Sequence, residues 1–156
     1  MPAFCASDCV LELEWPDDVT EQWLYDHSGN EAFLEDYGGV DLRRIRWALE
    51  VLPAMEIAEM ATGKSDHDCI DDISQNPHHW IENRWHGVHV GVAEMWQVHG
   101  TWKRWPLLID RELLAASKVG LQVLEGRTRV GVLKGLLQRG DFTAEHHLVW
   151  VARSAK

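Results

Sequence analysis

The stretch that most limits the fold of this chain runs from Leu121 to Leu133 and reads LQVLEGRTRVGVL. An apolar run ends in a Glu-Gly pair, and an amphipathic segment with Arg127, Thr128 and Arg129 in its first turn follows at once. This order predicts a short buried strand, a glycine turn and a helix. Because the unpaired N–H groups and the dipole of a helix N-terminus both favour negative charge, we expect an anion site at the turn.

Length and composition predict a single soluble domain. The chain has 156 residues, of which 46% are hydrophobic and 26% charged, enough for one well-buried core. No apolar run approaches the roughly 20 residues of a membrane helix, and the first ten residues lack the pattern of a secretory signal. Three cysteines, at positions 5, 9 and 69, favour reduced thiols over a disulfide framework. We therefore expect a cytoplasmic protein.

Charge is distributed unevenly along the chain. The formal net charge is −10, whereas residues 97–156 hold ten Lys/Arg and five Asp/Glu, a balance of +5 that leaves −15 for the first 96 residues. A protein this acidic repels nucleic acid at long range, which argues against a general DNA-binding function. Two kinds of partner remain: a small anion at a local basic face, or a basic protein docked on the acidic part.

The chain as a whole reads as short helices and strands. Alternating or short apolar runs predict strands at 10–15, 44–51, 106–110, 121–125 and 147–152. Caps, first-turn prolines and glycine stops predict helices at 17–25, 31–37, 54–62, 88–98 and 111–117, one from Pro77 onward through Arg84, and one from the Gly126 turn to near Gly140. This pattern predicts one α+β domain with a small mixed sheet and surrounding helices. Residues 1–99 would form its mostly helical, acidic part and residues 100–153 its core.

The last third of the chain has the order strand, short helix, strand, glycine turn, helix, strand. Its motifs are Pro106-Leu107-Leu108-Ile109 and Leu124-Glu125-Gly126-Arg127-Thr128-Arg129. In both motifs, residues 100–153 resemble the ParB/sulfiredoxin superfamily, whose members carry a Pro-apolar strand and an acid-Gly-x-x-Arg signature that opens a helix. The resemblance implies a ParB/sulfiredoxin-like fold, with 44–51 as a further strand of the same sheet.

The resemblance also implies a phosphate cradle at the turn. Carried over by position, Gly126, Arg127 and Thr128 would bind phosphate through backbone N–H groups, and Arg129 would neutralise it. Glu125 would face a metal ion or act as a catalytic base. The implied ligand is a nucleotide with Mg²⁺, and the implied reaction is phosphoryl transfer or phosphodiester hydrolysis. Gly126 permits close backbone approach, and an arginine can hold phosphate through two parallel hydrogen bonds.

Two departures from the superfamily narrow this expectation. Sulfiredoxins place a catalytic cysteine directly after the glycine, where this chain has Arg127, which argues against redox repair. Chromosome-partitioning ParB proteins add a helix-turn-helix region and a dimerisation domain, for which 156 residues leave no room. The structural alternative is that Gly126 only makes a tight turn and Glu125 only pairs with an arginine.

Histidines form a second group of candidate residues. Five of them lie within 22 positions: His78, His79, His86, His89 and His99. The His86-x-x-His89 spacing suits a metal on a helix, but no HExxH or CxxC pattern completes a site. Neighbouring tryptophans favour packing, so we assign no metal ligands. We expect the His146-His147 pair to be solvated at the start of the last strand.

A competing hypothesis treats the protein as a non-enzymatic interaction module. Acidic pairs and runs at 17–18, 35–36 and 66–72, together with nine tryptophans, could form a surface for a basic partner. An immunity protein that neutralises a basic nuclease toxin would be one example. This hypothesis depends on the charge asymmetry alone.

Overall fold

A four-stranded mixed sheet forms the centre of the computed structural model, which describes residues 2–5, 7–83 and 87–155. The strands are β1 (Ile45–Pro53), β2 (Leu107–Asp110), β3 (Leu121–Glu125) and β4 (His146–Ser154). Their order in the sheet is β1-β4-β2-β3. Strand β4 is antiparallel to β1 and parallel to β2, and β2 is antiparallel to β3.

Short helices surround the sheet. Those before β1 are α1 (Pro2–Cys5), α2 (Asp8–Leu11), α3 (Asp17–Thr20), which continues as a π-helical segment (Glu21–Tyr25), and α4 (Glu31–Tyr37), followed by a 3₁₀ turn (Leu42–Arg44). Those between β1 and β2 are α5 (Ala54–Ala58), α6 (Cys69–Ser74), α7 (Pro77–Glu82) and α8 (Val92–His99), with 3₁₀ turns at Lys64–Asp66 and Gly87–His89. A 3₁₀ turn (Arg111–Leu113) follows β2, and α9 (Arg127–Arg139) joins β3 to β4. The predicted α+β class is confirmed.

The sheet separates two apolar cores. The α9-side core joins α5–α9 to strand residues that include Leu108, Val123, Val149 and Val151. The α4-side core joins Trp23, Phe33 and Tyr37 to strand residues that include Leu107, Ile109 and Leu124. Because helices cover both faces of β2 and β3, these strands appear in the sequence as continuous apolar runs.

Two glycines let α9 lie close against α6 and α7. A Cβ on Gly135 would contact the carbonyl oxygen of Ser74 and lie 2.9 Å from Cγ of Pro77. A Cβ on Gly131 would lie 2.6 Å from Cγ2 of Ile73. This close approach fixes the position of α9, and therefore the position of its N-terminus beside the end of β3.

The predicted strand at 10–15 is wrong. Residues Asp8–Leu11 form α2, and Glu14 has a φ of 53°, which is incompatible with a strand. Leu11 is exposed whereas Trp15 is buried in the α4-side core. A short alternation predicts a strand only where a neighbour supplies backbone partners, and none lies beside this segment among the described residues. The helix that follows begins after Pro16, so Asp17 and Asp18 lie in its first turn and do not cap it.

Three predicted helices are shorter than expected. The helix predicted at 54–62 ends at Ala58, because Thr62 bridges to Val123 of β3. The one predicted at 88–98 begins at Val92, after Gly91 at a φ of 83°, and 111–117 contains only a 3₁₀ turn. The helix predicted from Pro77 is α7, and Arg84 lies outside the described residues.

In the described ranges, no helix combines the length and apolar character needed to cross a membrane.

Candidate functional site

The predicted strand, glycine turn and helix are confirmed in the stretch around Gly126. This residue has a φ of 97° and stands at the N-cap of α9, where no side chain caps the helix. A Cβ there would lie 2.6 Å from Cβ of Pro106 and 2.9 Å from Nε of Arg129. Only glycine therefore fits this turn, and because Gly126 has no side chain to cap the 13-residue helix, the first-turn N–H groups have no capping acceptor among the described residues.

Glu125, at the end of β3, is held by two side chains and by a hydrogen bond from the backbone N–H of Gly126. Its Oε1 accepts a hydrogen bond from Nη2 of Arg129 at 3.0 Å, and its Oε2 lies 3.0 Å from Nε2 of His27. Burial alone would raise the pKa of Glu125. The hydrogen bond from His27 and the charge of Arg129 outweigh it and lower the pKa to about 2. Glu125 is thus an ionised carboxylate near neutral pH and a poor proton acceptor.

The orientation of His27 follows from the cap of α4. Asn30 accepts a hydrogen bond from the N–H of Phe33 through Oδ1, so its Nδ2 is the atom 3.3 Å from Nδ1 of His27. Because Nδ1 then accepts, the ring proton is on Nε2 and donates to Glu125. The imidazole also stacks on Phe33 at 4.1 Å and 7°. His27 is therefore a fixed donor to the carboxylate, a role that sequence reasoning missed because the two residues are 98 positions apart.

Arg129 is fixed by partners from three segments. Its Nη1 donates to the carbonyl oxygen of Arg104 at 3.0 Å, and its Nη2 donates to Oε1 of Gln22 at 2.8 Å as well as to Glu125. Arg104 itself donates to Asp18 and, at 2.7 Å, to Glu21 in the π-helical segment. Burial lowers the pKa of Arg129, and the Glu125 carboxylate opposes that shift. The guanidinium is preorganised.

A cavity of about 210 Å³ opens at this turn. One wall is aromatic and is made by Trp80, Trp96 and Trp102. The other is polar and is made by Asp26, Lys103, Arg104, Glu125, Gly126, Thr128 and Arg129. Three cations and two carboxylates therefore line the same space as these indoles, and the rings of Trp96 and Trp102 meet edge to face at 84°. Such a cavity suits a small ligand that combines a ring with an anionic group.

Four of the five predicted site residues line this cavity, and Arg127 does not. Its side chain is directed to Asp66, with which it forms an ion pair, and only 12% of the side chain is exposed. The backbone of Arg127 still belongs to the first turn of α9. The sequence motif could not separate Arg127 from Arg129, because the direction of each side chain depends on where α9 packs.

The histidine-rich segment does not assemble into a metal centre within the residues that the structure describes. No three His, Cys, Asp or Glu side chains in those ranges are placed to hold a metal ion. His78 lies 3.0 Å from Asp141, and His67 lies 3.0 Å from Asp68. His86 lies outside the described residues.

The prediction for His147 is wrong. His146 is exposed as expected, but His147 is 2% exposed, because it points from β4 into the α9-side core. Its ring lies 4.4 Å from that of Trp102, and its Nδ1 lies 2.8 Å from Oγ1 of Thr101. Burial lowers the pKa of His147 to about 4. The adjacent histidines differ because successive strand residues point to opposite faces.

No family model matches the chain, and neither a curated protein nor a solved structure shows significant similarity to it. The resemblance to the ParB/sulfiredoxin superfamily stays a prediction from the two motifs.

Proposed function

We propose that this protein binds a small phosphorylated ligand, such as a nucleotide, in the cavity at the N-terminus of α9. The observation that carries the proposal is the meeting of an uncapped helix N-terminus, a preorganised arginine and an aromatic wall in one cavity. Phosphate would accept hydrogen bonds from the N–H groups that follow Gly126 and from the remaining donors of Arg129. A ring on the ligand would pack against the indoles.

The size of the cavity supports a small ligand. Cavities that enclose drug-sized ligands measure about 300–1,000 Å³, whereas this one measures about 210 Å³. A phosphate and one ring would occupy it, and the rest of a nucleoside triphosphate would extend outside. Lys103 lines the cavity, is exposed, and donates from Nζ to the carbonyl of Val90 at 2.8 Å; it would contact such an extension.

The reaction implied by the superfamily is a separate hypothesis. Because the pKa of Glu125 is about 2, proton abstraction by this carboxylate near neutral pH would be inefficient. In a phosphoryl-transfer or phosphodiester-hydrolysis mechanism, Glu125 would instead serve as a ligand to Mg²⁺, and the ion would compete with His27 and Arg129 for its two oxygens. In a binding protein it would position Arg129. Turnover of nucleotides in the presence of Mg²⁺ would distinguish the two roles.

Calorimetric titration with inorganic phosphate, AMP, ATP, CTP and GTP, each with and without Mg²⁺, tests the proposal. We expect binding by the wild type and a weakening of 10- to 100-fold, as an order of magnitude, in Arg129→Gln, which loses charge-assisted hydrogen bonds. Arg127→Gln is the matched control, since this arginine lies two positions away and faces Asp66. Lys103→Ala provides a second cavity variant at an exposed residue, and it removes the hydrogen bond that Nζ donates to the carbonyl of Val90.

Two results would contradict the proposal. The first is the absence of binding of every ligand in the series by folded wild-type protein. The second is an equal loss in the Arg127→Gln and Arg129→Gln variants, because the cavity then would not be where phosphate is held. Circular dichroism of each variant separates a lost contact from a lost fold.

A further inference from the structure

The outer edge of β1 differs from the opposite edge of the sheet. Strand β3 is covered along its free side: the N–H of Val123 donates to the carbonyl of Ala61 at 2.8 Å, and the carbonyl of Val123 accepts from Thr62 and Tyr37. Strand β1 has nine residues and stands at the other end of the sheet order, with no further strand beside it in the described ranges.

Hydrogen bonding with β4 shows which residues of β1 face outward. The N–H of Ala155 donates to the carbonyl of Arg44, and the N–H of Ala54 donates to the carbonyl of Glu145. Because paired positions alternate in an antiparallel ladder, the even-numbered residues of β1 bond to β4. Trp47, Leu49 and Val51 therefore direct their backbone N–H and C=O groups away from the sheet. The Nη1 of Arg46 donates to the carbonyl of Ile45 at 3.0 Å, which agrees with this alternation and means that this side chain must leave the carbonyl before another strand can pair there.

The same strand exposes apolar side chains next to that edge. Leu49 is 41% exposed and Val51 is 59% exposed. Their partners on β4, Trp150 and Leu148, lie on the same face of the sheet. Leu148 is itself 37% exposed. The α4-side core covers this face near Ile45 and leaves this end open. A long edge strand without a bulge and with apolar residues is a template for pairing with another strand.

We propose that β1 pairs antiparallel with β1 of a second copy of this chain, about a two-fold axis at Ala48. In this register Arg46 of each copy stands opposite Glu50 of the other, and Trp47 stands opposite Leu49. The outward-facing residues 47 and 49 exchange backbone hydrogen bonds, so the two sheets become one sheet of eight strands. Two symmetric Arg–Glu contacts favour this register, and an isologous two-fold pairing closes on itself.

Two details of the edge fit a second copy. Glu50 accepts two hydrogen bonds from Arg153, at 2.8 and 2.9 Å, so its carboxylate is held in place to receive an opposing Arg46. A two-residue shift in one direction would place Ala48 opposite Glu50 and remove both charge pairs, and a shift in the other direction would place Arg44, which precedes β1, opposite Glu50 and shorten the overlap of the two strands. In this register the exposed Leu49 and Val51 of each copy stand opposite Trp47 and Ile45 of the other copy.

Sedimentation equilibrium and light scattering test the oligomeric state. We expect a mass twice the 17.9 kDa of one chain. Leu49→Pro removes an outward N–H and spares the bonds to β4, and Val51→Lys places a charge in the patch; each is expected to give monomers that retain the wild-type circular dichroism. Phe142→Lys is the matched control, because Phe142 is 64% exposed elsewhere on the surface, and it is expected to stay dimeric.

A cysteine series tests the register, in a background that carries Cys5→Ser, Cys9→Ser and Cys69→Ala. Residues 48 of the two copies would form a non-hydrogen-bonded pair, with Cα atoms about 4.5 Å apart, which is within disulfide range. Ala48→Cys is therefore expected to cross-link under mild oxidation. Arg46→Cys alone is expected not to cross-link, whereas a mixture of Arg46→Cys and Glu50→Cys chains should. A monomeric wild type, a dimer that persists in Leu49→Pro, or cross-linking of Arg46→Cys with itself would overturn the proposal.

Discussion

His147 and Glu125 are both partly or fully buried titratable residues. Their surroundings lower the pKa of each, but for different physical reasons. The ring of His147 is packed against Trp102 with its Nε2 unpaired among the described residues, so the neutral form is favoured. Glu125 has charged and hydrogen-bonding partners, so the ionised form is favoured. Both shifts make folding stability depend on pH, but over different ranges.

We expect His147 to cost stability as the pH falls from about 6.5 to 4. The pKa of His147 is about 4 in the folded protein, against 6.5 unfolded, so in this range the unfolded chain binds a proton that the folded chain does not. The loss should reach about 3 kcal/mol. Urea denaturation across this range should show a smaller pH slope in His147→Gln than in wild type. His146→Gln, at the exposed neighbouring position, should keep the wild-type slope, and an unchanged slope in His147→Gln would contradict the prediction.

Glu125 is expected to act at lower pH. The pKa of Glu125 is about 2 in the folded protein, against 4.5 in the unfolded chain. Its contribution to folding stability is therefore complete above about pH 4.5 and is lost as the pH falls toward 2. The full loss is of the order of 3 kcal/mol. In Glu125→Gln this acid step should disappear from the stability curve, while the step between pH 6.5 and 4 remains. Retention of the acid step in the variant would show that other carboxylates cause it.

At the scale of elements, the contact between α9 and the pair α6–α7 decides where the cavity lies. Gly131 and Gly135 face these helices at a distance that leaves no room for a side chain. A shift of α9 would move the first turn, and with it Thr128 and Arg129, relative to the aromatic wall. Gly131 and Gly135 in the helix and Gly126 in the turn therefore together determine the position of the first turn of α9 relative to the cavity.

We expect Gly135→Ala to destabilise the protein despite the higher helix propensity of alanine. The added Cβ would meet backbone of Ser74 and the ring of Pro77, and overpacking of this kind costs about 1–3 kcal/mol. The change should appear as a lower urea midpoint in equilibrium unfolding. Gly39→Ala is the control, since nothing lies within 4 Å of its Cβ position, and it should stay close to wild type. An equal effect in both variants would rule out close packing as the cause.

At the scale of the whole molecule, ion pairs join the acidic N-terminal part to the basic C-terminal part. Arg104 binds Asp18 and Glu21, Arg127 binds Asp66, and Lys134 binds Asp71 at 2.8 Å. Part of the charge asymmetry thus acts within the chain. The hypothesis that this protein is an interaction module for a basic partner stays a prediction. A pull-down with a basic nuclease toxin would test it, and the acidic residues outside these ion pairs are the ones to substitute.

We expect Arg104→Met to lower the free energy of unfolding by about 2 kcal/mol, because hydrogen bonds to charged groups of this kind are each worth about 1.5–3 kcal/mol. The variant would leave the carboxylates of Asp18 and Glu21 without their cation. Arg43→Met is the matched control: its pair with Glu12 is 81% and 64% exposed, and exposed pairs contribute close to nothing. Denaturation in urea measures the free energy of unfolding of both variants. Similar values would contradict the view that the ion pairs of Arg104 stabilise the contact between the N-terminal and C-terminal parts.

The sequence alone was sufficient for the elements whose signals are local. The strand at 121–125, the glycine turn and the helix that ends before Gly140 follow from an apolar run, a glycine and a 3.6-residue period, and the structure has all three. The helix at 31–37 is confirmed at both ends because Asn30 caps it and Gly38 ends it. The alternation of β1 likewise predicted a strand, which runs from Ile45 to Pro53.

The contacts between these elements, and the directions of their side chains, were decided only by the tertiary structure. Whether 10–15 forms a strand depends on a neighbouring strand, and none lies beside it in the part of the chain that the structure describes. Glu125 and Arg129 pair with each other locally, but their contacts with His27 and Gln22 span about a hundred positions, and no local pattern encodes such a contact. The opposite directions of Arg127 and Arg129, and of His146 and His147, follow from which face of an element meets the core. The turn at Gly126 was thus predictable as a turn, but the cavity beside it required packing of segments that are distant in sequence.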